Sequence, residues 1–290
     1  MDGTGLPLVT PFDQNGVLDE GRLRDLVEWV QRRGVDFIVP CGSNSEAELM
    51  TVEERSRATE VVVEAADVPV LAGTGHPGLN ETIRQTESAA EAGADAALVV
   101  TPFYFNHDQA TLRTYYEELA DAAPIPIYLY SVPKYTGVKL TPETVGTLAT
   151  HDNIHGMKDS SGDLATFQRE RSRTADEEFD LLVGSGGIYA PALDAGADGG
   201  VLALANIAPE RASEIYRLHQ DGEDAQARAL NRELVELNTA VTGTYGIPGL
   251  KAAMRMRDAP VGQVRSPHLP VDADAEAALG ELVEAAEPPS

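Results

Sequence analysis

Short apolar runs alternate with amphipathic segments about eight times along this chain, and that alternation restricts the fold more than any other feature of the sequence. The runs that read as strands are Leu6–Thr10, Phe37–Pro40, Val68–Ala72, Ala97–Val100, Ile125–Tyr130, Ile154–Lys158, Leu181–Val183 and Gly200–Leu204. Helix start signals lie between them. Thr51 with Glu54 makes a capping box ahead of Arg55–Ala65. Asn80 is placed to cap a helix running to Glu91, with Gly93 after its end. Thr141-Pro142-Glu143 gives a cap, a proline at the first helical position and an acid in the first turn. Eight such units over roughly 200–250 residues predict a (β/α)8 TIM barrel. A doubly wound open sheet competes, but no Gly-x-Gly-x-x-Gly follows the first strand. Pro209–Leu237, Ile247–Arg257 and Asp272–Ala286 read as extra C-terminal helices. The expected anatomy is a barrel core over 1–208, then the final barrel helix and a helical region over 209–290.

Composition narrows the function classes. Asp and Glu number 47 against 22 Lys and Arg, a formal net charge of −25, which leaves no basic excess for a nucleic-acid surface. No run approaches the roughly 20 apolar residues of a membrane helix. Met1–Thr10 lacks a basic segment followed by a long apolar one, so a cytoplasmic protein is expected. The single cysteine, Cys41, excludes an intrachain disulfide framework and a multi-cysteine metal site. A surface rich in carboxylates and poor in lysine suits concentrated salt, where self-repulsion is screened, and a halophilic source is expected; a merely acidic mesophile is the alternative.

Active sites of such barrels lie at the carboxyl ends of the strands. The strand assignments put Thr10, Gly42-Ser43-Asn44, Gly73-Thr74, Thr101-Pro102-Phe103-Tyr104, Tyr130-Ser131, Lys158-Asp159, Gly184-Ser185-Gly186 and Ala205-Asn206 there. No His and carboxylate cluster with metal-ligand spacing is among them, so no metal is expected. Lys158 ends an apolar strand, where desolvation disfavours the ammonium and favours the neutral nucleophile; the bland alternative is a rim lysine paired with Asp159. Lys134 and Lys139 flank a turn and Lys251 lies on a predicted helix, so they are weaker candidates. Tyr130 ends the preceding strand, within reach of the same mouth, and could move protons at an imine. Strand tyrosines are also common in cores. Ser43 and Asn44 follow Gly42 in a loop able to offer donors to a small carboxylate, although Gly-Ser-Asn is routine turn chemistry as well. Gly184-Ser185-Gly186-Gly187 could cradle a phosphate or simply turn the chain.

With these residues in view, the chain resembles the dihydrodipicolinate synthase/N-acetylneuraminate lyase superfamily of class I aldolases over nearly its whole length. Four segments carry the resemblance in order: Leu8-Val9-Thr10-Pro11-Phe12, Gly42-Ser43-Asn44-Ser45-Glu46, Tyr130-Ser131-Val132-Pro133 with Thr136-Gly137, and Gly156-Met157-Lys158-Asp159-Ser160. The resemblance implies that Lys158 condenses with the 2-oxo group of pyruvate or a 2-oxo acid, with no cofactor beyond that covalent imine. It implies that Tyr130 relays protons and helps hold the carboxylate, which Ser43 and Asn44 bind. It also implies that Tyr104 is donated into a neighbour's relay within a homotetramer, and that Val201 and Gly184 line the site. Two positions depart from the pattern. Ser45 stands where glycine is usual, and Tyr135 stands about where typical dihydrodipicolinate synthases carry an arginine for the second substrate; Lys134 is a neighbouring substitute. The motifs look closer to 2-keto-3-deoxygluconate and 4-hydroxy-2-oxoglutarate aldolases, with dihydrodipicolinate synthase as a further alternative. Cleavage of 2-keto-3-deoxygluconate or its 6-phosphate is expected, a preference resting on the expected halophilic source. A 6-phosphate would want cations, for which Lys134 and Arg113 are the candidates. The non-enzymatic alternative is a barrel that binds a 2-oxo acid without turnover.

Overall fold

The structure is a computed structural model and describes residues 1–287. Along the chain it forms β1 (Gly3–Pro7), α1 (Glu20–Gln31), β2 (Phe37–Val39), α2 (Val52–Ala65), β3 (Leu71–Gly73), α3 (Leu79–Ala92), β4 (Ala96–Val100) and α4 (Gln109–Ala122). It continues through β5 (Ile127–Ser131), a single turn α5 (Pro133–Thr136), α6 (Pro142–Leu148), β6 (Ile154–Asp159), α7 (Leu164–Arg173), β7 (Asp180–Val183), α8 (Tyr189–Asp194), β8 (Gly199–Val201) and α9 (Pro209–Gln220). All strand pairs are parallel, in the order β2-β1-β8-β7-β6-β5-β4-β3. A parallel bridge between Ile38 and Val70 brings β2 to β3 and closes the ring. The fold is therefore the expected TIM barrel of parallel strands wrapped by helices.

Period-2 alternation sorts the strand residues into two cores. Phe37, Val39, Leu71, Ala96, Leu98, Tyr128, Tyr130, Leu182 and Val201 fill the barrel interior. Ile38, Ala72, Ala97, Val99, Ile127, Leu129, Met157 and Leu181 face the helices. Glycines make the interior fit: a Cβ on Gly5 would stand 2.2 Å from the Phe37 ring, and one on Gly156 2.4 Å from the Tyr128 ring. Bulky rings thus lie against strands that lack side chains, which keeps the interior close-packed.

The Thr51–Glu54 capping box forms, and Thr141 caps α6 with Pro142 in its first turn. Some boundaries differ from the sequence reading. Gly78 caps α3, so Asn80 lies inside the first turn and does not cap it. β1 stops at Pro7, because the carbonyl of Leu8 is taken by the Ser45 hydroxyl rather than by a neighbouring strand. β8 stops at Val201, because Ala203–Asn206 coil into a 3-10 turn whose Asn206 side chain donates to Pro7 O at 3.0 Å. The single helical pattern expected over Pro209–Leu237 divides after α9 into α10 (Asp224–Glu233) and α11 (Val235–Thr239), with Gly222 at positive φ in the turn. A π-helical turn, Ala240–Thr244, leads into α12 (Gly246–Met256), and α13 (Ala273–Ala286) packs on α12. No described helix is long and apolar enough to cross a membrane.

Candidate active site

Parallel register sets Tyr130 on β5 beside Lys158 on β6, and Lys158 beside Leu182 on β7. Both functional candidates face the barrel interior near its carboxyl end, and both are buried. Lys158 Nζ lies 4.3 Å from the centroid of the Tyr130 ring, a distance at which a ring face attracts a cation. Lys158 is the one lysine with neither a hydrogen-bond acceptor nor an ion-pair partner among the described residues. Lys134 Nζ donates to Thr242 O at 2.7 Å. Lys139 Nζ binds Asp163 and Thr166. Lys251 is wholly buried in an ion pair with Glu46. The bland alternative, a rim pairing of Lys158 with Asp159, is absent, because alternation turns Asp159 to the opposite face of β6. There its carboxylate accepts from Ser161 N at 2.9 Å and Ser161 Oγ at 2.7 Å. A lysine held at a strand end with an unengaged amine is free to act as a nucleophile.

The strand end leaves no slack around this amine. Gly184 follows β7, and a Cβ there would come 1.8 Å from Ser160 Oγ and 3.1 Å from Lys158 Cε. The remaining glycines of that turn serve packing instead. Gly186 O accepts from Asn231 Nδ2 at 2.7 Å, and a Cβ on Gly186 would meet Asn238 Oδ1 at 2.7 Å. Gly186 is therefore committed to the asparagines of α10 and α11 rather than to a phosphate. Val201, on β8, is buried in the same interior cluster as Tyr130.

Ser43, Asn44 and Ser45 form a 3-10 turn directly after β2. The Ser43 hydroxyl stands 3.4 Å from that of Tyr130, a long contact that a bound carboxylate could bridge. Ser45 supplies an internal brace: its Oγ donates to Leu8 O at 2.5 Å and accepts from Gly42 N at 3.1 Å. Glu46, at positive φ, anchors the far end of the turn. Its carboxylate takes Lys251 Nζ at 2.5 Å and Arg265 N at 2.8 Å. Lys251 also donates to Thr10 O and Gln263 O, both at 2.7 Å, and burial pulls its ammonium down to about 8 against the opposing attraction of Glu46. Behind β6, Glu170 on α7 is fully buried with neither carboxylate oxygen hydrogen-bonded, and burial, helped by the neighbouring Asp159 charge, pushes it up to about 9.

A cavity of roughly 580 Å³ opens over this end of the barrel, within the size range of small-molecule sites. Ser43, Tyr130 and Tyr135 lie on its wall, as do Phe103 and Thr136. Tyr104 does not. Its ring is 89% exposed, its φ is +77°, and it stacks edge-on against Phe105 at 5.0 Å. The sequence reading missed the outer wall, which comes from Gly243–Pro248 and His268 beyond the barrel and from Glu48 and Arg55 near β2. The Gly-Thr-Tyr-Gly-Ile-Pro run of 243–248 was a visible signal, since glycine and proline mark irregular backbone and π-helical turns gather at functional sites. Arg113 is not on the wall and pairs with Glu117 at 3.5 Å along α4.

Comparison with known proteins agrees with this architecture. A sequence profile described as the dihydrodipicolinate synthetase family matches residues 2–286. A 4-hydroxy-tetrahydrodipicolinate synthase of Methanothrix thermoacetophila is 39% identical over 277 residues, 95% of this chain and 94% of that protein. A DapA-like lyase of Halobacterium salinarum is 37% identical over 96% of this chain and 92% of its own length. These relatives bear synthase or lyase names, not sugar-acid aldolase names, so the family expectation holds while the closer likeness to sugar-acid aldolases is not what they carry. Among solved structures, YagE, a prophage protein of the dihydrodipicolinic acid synthase family from E. coli K12 in complex with pyruvate, superposes with a TM-score of 0.94 at 30% identity, covering 98% of both chains. The chloride-inhibited dihydrodipicolinate synthase of Acinetobacter baumannii, complexed with pyruvate, gives 0.93 at 31% identity, again over 98% of both chains. The chain belongs to the dihydrodipicolinate synthetase family and is an enzyme, a pyruvate-dependent lyase of that family.

Proposed function

We propose that this lyase is a Schiff-base aldolase that reversibly cleaves a 2-keto-3-deoxy sugar acid, 2-keto-3-deoxygluconate or its 6-phosphate, to pyruvate and an aldehyde. The observation that carries the reading is Lys158, the lysine without a partner, with its amine 4.3 Å from the Tyr130 ring. The Lys158 amine adds to the C2 carbonyl, and water leaves to give a protonated imine. That imine is an electron sink: the C3–C4 bond breaks, its electron pair forms the C2–C3 enamine, and the C4 hydroxyl loses its proton as the aldehyde departs. Protonation at C3 and hydrolysis release pyruvate and restore the amine. No cofactor enters any step.

Tyr130 is the proton relay in this scheme, and its contact with Ser43 Oγ gives the proton a second oxygen to reach. Ser43 and Asn44 take the substrate carboxylate, Gly184 keeps space beside the lysine, and Val201 closes the floor. Tyr104, exposed and off the cavity wall, acts in a neighbouring subunit of a homotetramer. The acidic, lysine-poor composition supports a protein of a salt-rich cytoplasm. A second reading, 4-hydroxy-tetrahydrodipicolinate synthesis, is favoured by the name of the 39%-identical relative. Tyr135, standing where that activity would want an arginine, weighs against it.

The test is borohydride reduction in the presence of pyruvate, followed by peptide mass mapping. An adduct on Lys158, absent from Lys158→Ala, is expected. A folded protein in which pyruvate traps no lysine would falsify the imine mechanism.

A further inference from the structure

The amino end of the barrel, opposite Lys158, carries a group of metal-ligating side chains that the reaction does not use. α8 runs back from β7 and ends at Asp194, just ahead of β8, and α9 runs back from β8 with His219 in its last turn. A tight turn with Gly222 at positive φ then places Asp224 at the start of α10, and the three helices pack on one another. One ligand atom each from Asp194, His219 and Asp224 consequently lie within 4.8 Å of one another. His219 Nδ1 stands 3.7 Å from Asp194 Oδ1 and 3.2 Å from Asp224 Oδ1. Ligand atoms about 2.1 Å from a tetrahedral zinc ion are about 3.4 Å apart, so these separations suit an ion seated among the three.

The surroundings of these atoms call for a cation. His219 Nδ1 is shielded from solvent, and neither carboxylate oxygen is aligned to hydrogen-bond with it. Asp194 ends a helix, where the negative end of the dipole disfavours an acid and favours a cation, and α9 brings a second such end to the same place. Arg228 Nη1 holds Asp194 Oδ2 at 2.8 Å, which fixes that carboxylate and leaves Oδ1 toward His219. Asp224 has no arginine or lysine partner among the described residues. Two carboxylates against one guanidinium leave a net negative charge here, in a chain already at −25. Mg2+ and Ca2+ take oxygen ligands, whereas an imidazole nitrogen with carboxylates suits zinc and its neighbours. We propose that Asp194, neutral His219 and Asp224 bind one divalent transition-metal ion of the zinc type, with water completing its shell, and that the ion staples α8, α9 and α10 together.

The experiment is calorimetric titration of the chelator-treated full chain with ZnCl2 at neutral pH, in the wild type, His219→Gln and Asp224→Asn. One equivalent is expected to bind the wild type. Each substitution should weaken that binding by more than about 100-fold, the upper end of what loss of an outer-shell partner costs a metal site, because here a ligand itself is lost. Zinc at about 100 times its Kd should raise the wild-type Tm by about 5 °C and leave that of His219→Gln unmoved. CaCl2 and MgCl2 should do neither. The chain has six histidines, so adventitious zinc binding elsewhere is the rival outcome. Zinc bound equally by the wild type and both variants, or not bound at all, overturns the inference, as does equal stabilisation by Ca2+. Neither readout is an activity, so the result stands or falls apart from the aldolase reading.

Discussion

Replacing Lys251 with methionine tests how the Ser43–Ser45 turn, proposed to bind the carboxylate, is held. The Lys251–Glu46 pair is fully buried, with both side chains at 0% exposure. Burial of both charges costs nearly what their attraction returns, which is why the lysine is pulled down to about 8 despite a contact of 2.5 Å. Removing one partner is a different matter. Glu46 would keep only Arg265 N as a donor, and the carbonyls of Thr10 and Gln263 would lose theirs. Breaking a buried pair in this way costs roughly 3–5 kcal/mol. For a chain of this size each kcal/mol lowers Tm by about 2 °C, so Lys251→Met is expected to melt roughly 6–10 °C below wild type. The loss should be similar at about 0.5 and about 3 M KCl, because salt hardly screens a pair out of solvent. Glu46→Gln combined with Lys251→Met removes both charges and is expected to recover part of the deficit. Since Glu46 ends the turn that carries Ser43 and Asn44, Lys251→Met should also raise KM for pyruvate severalfold. Calorimetry across the four proteins of the cycle checks the stability terms. A Tm within about 1 °C of wild type for the single variant, or a double variant whose deficit is the sum of both singles, would refute the reasoning.

Three further outcomes are expected. Tyr130→Phe should lower kcat by about 10²–10⁴ while pyruvate still traps on Lys158, because the variant removes the relay and spares the nucleophile; loss of trapping would contradict that division. Gly184→Ala should abolish most activity with only modest destabilisation, since the new methyl group would overlap Ser160 Oγ at 1.8 Å and crowd Lys158 Cε at 3.1 Å; kinetics with a melting curve separate the two effects. Glu170 is held at about 9, far above the ordinary carboxylate value of 4.5, so its contribution to stability is complete below about pH 4.5 and is lost as pH rises toward 9. Glu170→Gln should therefore match wild type near pH 4.5 and melt progressively higher than it toward pH 9, and parallel Tm–pH profiles for the two would rule this out.

The fold was legible in the sequence because strand–helix alternation and caps are local. Each of the eight apolar runs overlaps a strand, and the Thr51–Glu54 box and the Thr141–Pro142 start form where the residues put them. The proposed nucleophile stood out for a related reason: a lone lysine ending an apolar run has few bland explanations. Strand ends were less so. Leu8 and Leu202 look like strand residues from their neighbours, yet a serine from the turn after β2 and a 3-10 turn after β8 decide where pairing stops.

Sequence alone determined that these residues make a barrel and that Lys158, Tyr130 and Ser43 come from strand ends that meet, because period and register are properties of short segments. Only the tertiary structure decided which lysines are spoken for. Lys251 reads only as a lysine on a predicted helix, and it is the buried partner of Glu46, 205 positions away along the chain. Likewise the outer wall of the cavity joins residues near 48, near 135 and near 245, which meet only in that assembly. Partners that distant meet only once the barrel has closed, and no local pattern encodes them.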